Sequence, residues 1–365
     1  MNAKERVRVA LTRSGVPDRV PVQFDLCRSL IEHFANHLDM EPEFAWSYYE
    51  DLTYRISANG IRTALGSDAV VVGGTVASGF EPIPVDGGAT LNEFGMKMRP
   101  TDLYVEVVEP PLKDAESVAD VEGYDFPDPH APGRLDRARE QIARYGDDYF
   151  VIGDCELSIF ELAWQLTGLQ KYMMALALRE DWLDALSDRV EQWTTGIAQQ
   201  LVALGVDALW FGEDLGTQTS TLISPDVWRE KFKPRYVRLF EALREQDPDL
   251  IIIMHSDGAV APLLDDFIEM GVDAYNPVQP NVPGSDPREL KDRYGDSMAF
   301  FGGIDQQVLL PSGDVNRIRA DVKHRCEVLG RNGGYLLAPA HIIQADVRPD
   351  TVVAMVQAAR DFGAY

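Results

Sequence analysis

Eight short apolar runs constrain this chain more than any other feature of its sequence: Val20–Phe24, Ala69–Val72, Tyr149–Ile152, Ala208–Phe211, Ile251–Met254, Ala274–Val278, Ala299–Phe301 and Tyr335–Ala338. They lack the alternation of a sheet with one wet face, so each reads as a strand buried on both faces. Segments of helical period separate most of them. Ser224 and Pro225 supply an N-cap and a first helical residue, followed by an apolar stripe of Trp228, Phe232, Tyr236, Leu239 and Leu243, with a kink predicted at Pro234. Asp314 caps a second stripe, Val315, Ile318, Val322, Cys326 and Leu329, which makes Cys326 a core residue. Pro262–Glu269 is a third helical segment, stopped at Gly271 just before the next run. Eight buried strands with helical crossovers are the number at which a parallel sheet closes, so the pattern predicts a (β/α)8 TIM barrel over a doubly wound sheet.

One stretch, residues 73–140, breaks this rhythm with turn signals at Val85–Gly88, alternating residues around Asn92–Met98 and a proline-rich exit at Phe126–Pro132. It reads as an inserted β-hairpin excursion, leaving residues 1–365 as a single barrel domain.

Charge narrows the partners. With 34 lysines and arginines against 59 acids the chain carries a net charge of -25, a field that repels phosphate backbones and anionic lipid surfaces. Neither nucleic acid nor membrane is an expected partner. No apolar run approaches the roughly 20 residues of a membrane span, and Met1–Val7 lacks a signal peptide's apolar stretch, so a cytoplasmic protein is expected. The cysteines, at 27, 155 and 326, are too few and too scattered for a disulfide framework or a structural zinc module.

In a parallel barrel the loops after the strands meet at one mouth, where chemistry gathers. Polar residues stand just beyond most runs: Asp25, Cys27 and Arg28; Asp154, Cys155 and Glu156; Glu213 and Asp214; His255 and Asp257; Asn276 and Gln279; Asp305; and His341. Imidazoles and carboxylates are the donors that zinc and related dications take, so His255 and His341 are the lead metal ligands, with Asp257 and Glu213 as carboxylate partners. His255 and Asp257 are two apart and share a face. Glu213, Asp214, Asn276 and Gln279 are the candidates for orienting a substrate or handling protons, and the adjacent carboxylates of Glu213 and Asp214 suggest one raised pKa. His33 and His37 lie four apart at the edge of a helical stripe without a metalloprotease glutamate, and they read as solvated, as do His130 and His324. Gly73–Gly74 and Gly302–Gly303 belong to no nucleotide-binding pattern.

Taken together, Phe211–Gln218, Leu222–Pro225, Met254–Gly258, Gly271–Gln279, Phe301–Asp305 and His341–Gln344 resemble the uroporphyrinogen decarboxylase superfamily, densely from about residue 205 onward. Within it the chain looks like the corrinoid-dependent methyltransferase branch. True decarboxylases carry an arginine-rich segment near the N-terminus that gathers the tetrapyrrole's carboxylates, whereas Phe24–Arg28 holds one arginine. Thiol-methylating relatives hold zinc with a His-x-Cys pair and a later cysteine. Here Asp257 and His341 stand in those cysteine positions, trading soft donors for harder ones and leaving a more Lewis-acidic ion. The resemblance thus implies a methyltransferase that moves a methyl group from a small methoxylated or similar donor to the cobalt of a separate corrinoid protein, with a divalent metal, zinc by preference, polarising the donor oxygen. On this reading the mouth stays open for that partner, with the 73–140 excursion as a candidate contact surface, and a homodimer is compatible with the same reading. Two alternatives stand beside it: a metal-independent decarboxylase of a smaller acid, with Asp25 or Asp257 and His341 moving protons, and a non-catalytic corrinoid-binding protein.

Overall fold

A computed structural model describes residues 1–47, 49, 53–100 and 105–365. Seven of the eight apolar runs are strands of one parallel sheet: β1 (Ala69–Gly73), β6 (Phe150–Cys155), β7 (Ala208–Gly212), β8 (Ile251–His255), β9 (Ala274–Val278), β10 (Ala299–Ile304) and β11 (Tyr335–Pro339), neighbours in that order. From β7 onward a helical segment separates each strand from the next, so every crossover returns the chain to the same end of the sheet.

The remaining run, Val20–Phe24, is an extended segment without a regular ladder. It is tied to β11 by Gln23 N–H to the Leu337 carbonyl (3.0 Å) and Leu337 N–H to the Pro21 carbonyl (2.9 Å). On its other side Asp68 N–H donates to the Val22 carbonyl (2.7 Å). Pro21 has no N–H to donate, and Val22 gives its own to the Asp68 carboxylate (2.9 Å) instead of a neighbouring strand. This segment therefore contacts both β11 and the approach to β1, and the sheet curls around an apolar interior.

Side chains two apart share a face, which sorts the strands into two layers of core. Ala69, Val71, Phe150, Ile152, Ala208, Trp210, Ile251, Ile253, Ala274 and Phe301 fill the inside. Val70, Val72, Val151, Leu209, Phe211, Ile252 and Met254 belong to the larger cluster beneath the helices. The inward face changes character at its carboxyl end, where Asp154, His255 and Asn276 follow Ile152, Ile253 and Ala274.

Residues 73–140 hold more than the expected hairpin. Four short strands, β2 (Ile83–Val85), β3 (Ala89–Leu91), β4 (Lys97–Pro100) and β5 (Val105–Glu109), form an antiparallel sheet in sequential order. The proline kink is a full interruption: Pro225–Lys231 ends at Phe232 and a new helix, Lys233–Gln246, begins with Pro234 in its first turn. Ser224 and Asp314 cap their helices through Val227 N–H, and through Asn316 and Arg317 N–H, respectively. Cys326 is buried, while His33, His37, His130 and His324 are exposed. Among the described residues no helix is long and apolar enough to cross a membrane.

Candidate metal centre

The ends of β7 and β8 build the centre. Gly212 pairs in register with His255, and His255 with Asn276. His255 continues the inward face of Ile251 and Ile253 and is 2% exposed. Its Nδ1 lies 2.6 Å from Asn276 Oδ1. An amide oxygen only accepts, so Nδ1 carries the proton and donates, which leaves Nε2 as the atom facing Asp214, 3.6 Å from its Oδ1. Asn276 is fixed in turn by donating to the Phe301 carbonyl at 3.4 Å.

The carboxylates come from the two loops that follow. Asp257 N–H donates to Asp214 Oδ1 (3.1 Å), Ser256 Oγ accepts from Leu215 N–H (2.9 Å), and Gln279 Oε1 accepts from Gly258 N–H (2.6 Å). Ala259 N–H reaches the Thr217 carbonyl at 2.8 Å. The loops are so close that a Cβ on Gly258, whose φ is +86°, would collide with the backbone of Gly216. Potential ligand atoms of Asp214, His255 and Asp257 all lie within 4.8 Å of one another.

The electrostatics suit a cation. Burial works against charging His255, but its bond to Asp214 and the charges of Glu156 and Asp257 outweigh it and push the imidazole up to about 9. Burial and the neighbouring Asp214 push the Asp257 carboxyl up to about 7. Asp257 Oδ1 is buried with no hydrogen-bond partner, and such an atom is costly to leave unpaired. One imidazole nitrogen and two carboxylates, one with an orphaned oxygen, form a donor set that fits a divalent cation.

The triad differs from the expected ligand set in two members. His341 stands beside it, its ring centroid 6.3 Å from that of His255, and takes no part in the three-residue group. Burial and then His255 hold His341 down at about 4, so it is neutral. Glu213 is turned away altogether. Its carboxylate accepts the N–H groups of Phe160 and Glu161, both at 2.7 Å, and the hydroxyl of Tyr236, at the start of the helix Ile159–Thr167. Its pKa is raised to about 7 by burial, not by the Asp214 charge the adjacent pair had suggested. Glu213 is thus a helix cap. Replacing it by glutamine points an amide N–H₂ at backbone donors and is expected to cost about 1–3 kcal/mol. Urea unfolding would register this loss while metal binding persists.

Of the other candidates, Asp214 joins the triad and Asn276 and Gln279 orient it. Asp25 is taken by Arg62, with Gln23 Nε2 donating to it at 2.9 Å and Arg55 3.6 Å away. Arg55 joins the site from the segment that precedes β1. Fully enclosed, it stacks 3.8 Å over Trp210 and pairs with Asp154 (3.2 Å) and Glu156. Gly212 makes room for this, since a Cβ there would collide with the Glu156 carboxyl. Cys27 and Cys155 are buried, and burial, then Asp154, push the Cys155 thiol well up.

A curled parallel sheet with this cluster at its carboxyl ends defines an α/β protein with a candidate metal centre. The sequence model of uroporphyrinogen decarboxylase (URO-D) matches residues 83–362, and the chain belongs to that family. In structure it is similar to a methyltransferase from Methanosarcina mazei, with TM-score 0.74 and 19% identity over 99% of both chains, a likeness of fold. It shares a partial likeness, TM-score 0.36 at 14% identity over 56% of this chain and 71% of the other, with dihydropteroate synthase from Anaplasma phagocytophilum. No curated protein matches it.

Proposed function

We propose that the protein is a methyltransferase that takes a methyl group from a small methoxylated or similar donor and passes it to the reduced cobalt of a corrinoid carried by a separate protein. Residues 1–365 would form one (β/α)8 domain, with Val20–Phe24 in the eighth strand position. Membership of the URO-D family supports an enzyme of this kind, and the fold likeness to a methyltransferase is compatible with it. The observation that carries the reading is the Asp214–His255–Asp257 group with its orphaned carboxylate oxygen.

A divalent cation, zinc by preference, held on these three residues would supply an electrophile for the donor oxygen. The chain's own groups do the rest. Asn276 fixes the His255 tautomer, Gln279 holds the Gly258 turn that carries Asp257, and Ser256 locks the two loops together. Neutral His341 presents a group that can both donate and accept beside the cluster. The partner's corrinoid would supply a cobalt(I) electron pair that bonds the methyl carbon, and the donor oxygen would leave with the C–O electron pair and take a proton from solvent.

Incubating the zinc-loaded protein with a panel of methyl ethers and cob(I)alamin is expected to give the visible spectrum of a methylated corrinoid. Metal-saturated protein that methylates no corrinoid across the panel would overturn the proposal. Of the proton carriers of the decarboxylase alternative, Asp25 is committed to Arg62 and Gln23, which leaves that reading to Asp257 and His341.

A further inference from the structure

The helix Leu169–Leu178 is apolar on both sides. Tyr172, Ala175 and Leu176 are buried against the body of the protein, Leu169, Met174, Ala177 and Leu178 are exposed, and Lys171 is its one charged residue. The outer helices Val315–Val328 and Pro349–Phe362 show what a solvated face looks like in this chain, with Arg317, Lys323 and Glu327 exposed on one and Asp350, Arg360 and Asp361 on the other. A helix that is apolar all round belongs in an interior. The outer face of Leu169–Leu178 therefore calls for a cover.

Beside that face runs a groove of about 1070 Å³, between the helix and the chain at Pro110–Val118. Val118, Leu169, Met174 and Leu178, four of the eleven large apolar side chains exposed among the described residues, all line it. Exposed apolar residues scattered singly are ordinary, whereas a contiguous group marks a contact surface.

Two features select a second copy of this chain as the cover. The first is shape. Met174 and Leu178 stand out from the helix, 57% and 69% exposed, on the edge of a groove lined by Pro110, Ala115 and Val118. Knob and hole thus lie on one patch, which is what a two-fold interface requires, since the same surface must serve on both sides. The second is charge. Lys171 lies in the first turn of the helix, its Nζ donating to the Lys113 carbonyl at 2.8 Å, while Glu180 and the exposed Asp181 follow the carboxyl end. In an antiparallel pair of these helices the cationic end of each copy lies against the acidic end of its mate, and the helix dipoles favour the same arrangement. An anionic membrane, which would also accept an apolar face, is repelled by the net charge of -25.

We propose that the protein forms a two-fold dimer through the helix Leu169–Leu178, with Met174 beside the axis, Leu178 of each copy in the groove of the other, and Lys171 facing Asp181 across the interface. The proposal does not depend on the methyltransferase reading.

The test uses the full chain. Sedimentation velocity over a dilution series should show a species of twice the chain mass that dissociates as it is diluted. Leu178 is exposed, so Leu178→Asp should fold normally and weaken the dimer at least about tenfold. Lys171→Asp and Asp181→Lys should each weaken it by about threefold or more, and the double exchange should restore it, because the two charges then meet again with their signs reversed. Met174→Cys sets a thiol next to its own counterpart, so mild oxidation should link the copies. The native cysteines are buried, and Val353→Cys, exposed on another helix, should stay unlinked. A wild-type chain that is monomeric at every concentration would overturn the proposal and leave the face to a different protein. A dimer left intact by Leu178→Asp, a double exchange that restores nothing, or equal linkage through positions 174 and 353 would overturn it as well.

Discussion

Arg55→Met is expected to destabilise the protein by about 3–5 kcal/mol, the usual cost of leaving buried charges without their partner. Arg55 sits between three carboxylates, of which Asp25 also has Arg62, while Asp154 and Glu156 have Arg55 as their paired cation. Methionine fills similar space over Trp210 and keeps the packing, so the loss reports the charge and not a void. The measurement is the urea midpoint and slope of the full chain, where a lower midpoint at unchanged slope signals lost stability. Adding Asp154→Asn should recover part of the loss, because it removes one of the carboxylates that Arg55 neutralises. A midpoint equal to that of the wild type would mean that the arginine is not needed to balance the mouth.

Asp257→Ala carries the other large effect. It deletes the carboxylate whose Oδ1 has no hydrogen-bond partner and leaves Asp214 and His255 as the remaining members of the group. Metal affinity is expected to fall by about two orders of magnitude or more, and methyl transfer with it, since two donors hold a dication far less firmly than three. Stability in the metal-free state should change little or rise, because a buried and unpaired oxygen is removed. This opposite movement separates a ligand from a structural residue such as Glu213, whose replacement lowers stability and spares the metal.

Much of this was legible in the sequence, and the exceptions have physical causes. Strands buried on both faces write themselves as unbroken apolar runs, and seven of the eight runs are strands of the parallel sheet. Val20–Phe24 departs because Pro21 cannot donate and the Asp68 side chain takes Val22 N–H. Residues just past strand ends were good candidates for the mouth, which brought out His255, Asp257, Asn276, Gln279 and Asp214. Choosing between Glu213 and Asp214 required the phase of β7. Ala208 and Trp210 face inward, so the alternation carries Asp214 toward the mouth and Glu213 outward to the helix at Ile159. The two residues are adjacent and look equally able on paper. The path of the loop that carries His341, which no local pattern fixes, leaves it beside the Asp214–His255–Asp257 group and not within it. Arg55 gave no signal because it precedes β1 instead of following a strand, and a lone arginine in a loop looks like surface.

The account rests on three side chains sharing one ion. Its most direct test is elemental analysis of the purified protein after zinc loading and dialysis, alongside Asp214→Ala, His255→Ala, Asp257→Ala and His341→Ala. One metal per chain in the wild type and in His341→Ala, with almost none in the other three, is the predicted result. Metal retained in Asp214→Ala and lost in His341→Ala, or no stoichiometric metal in the wild type at all, would contradict it.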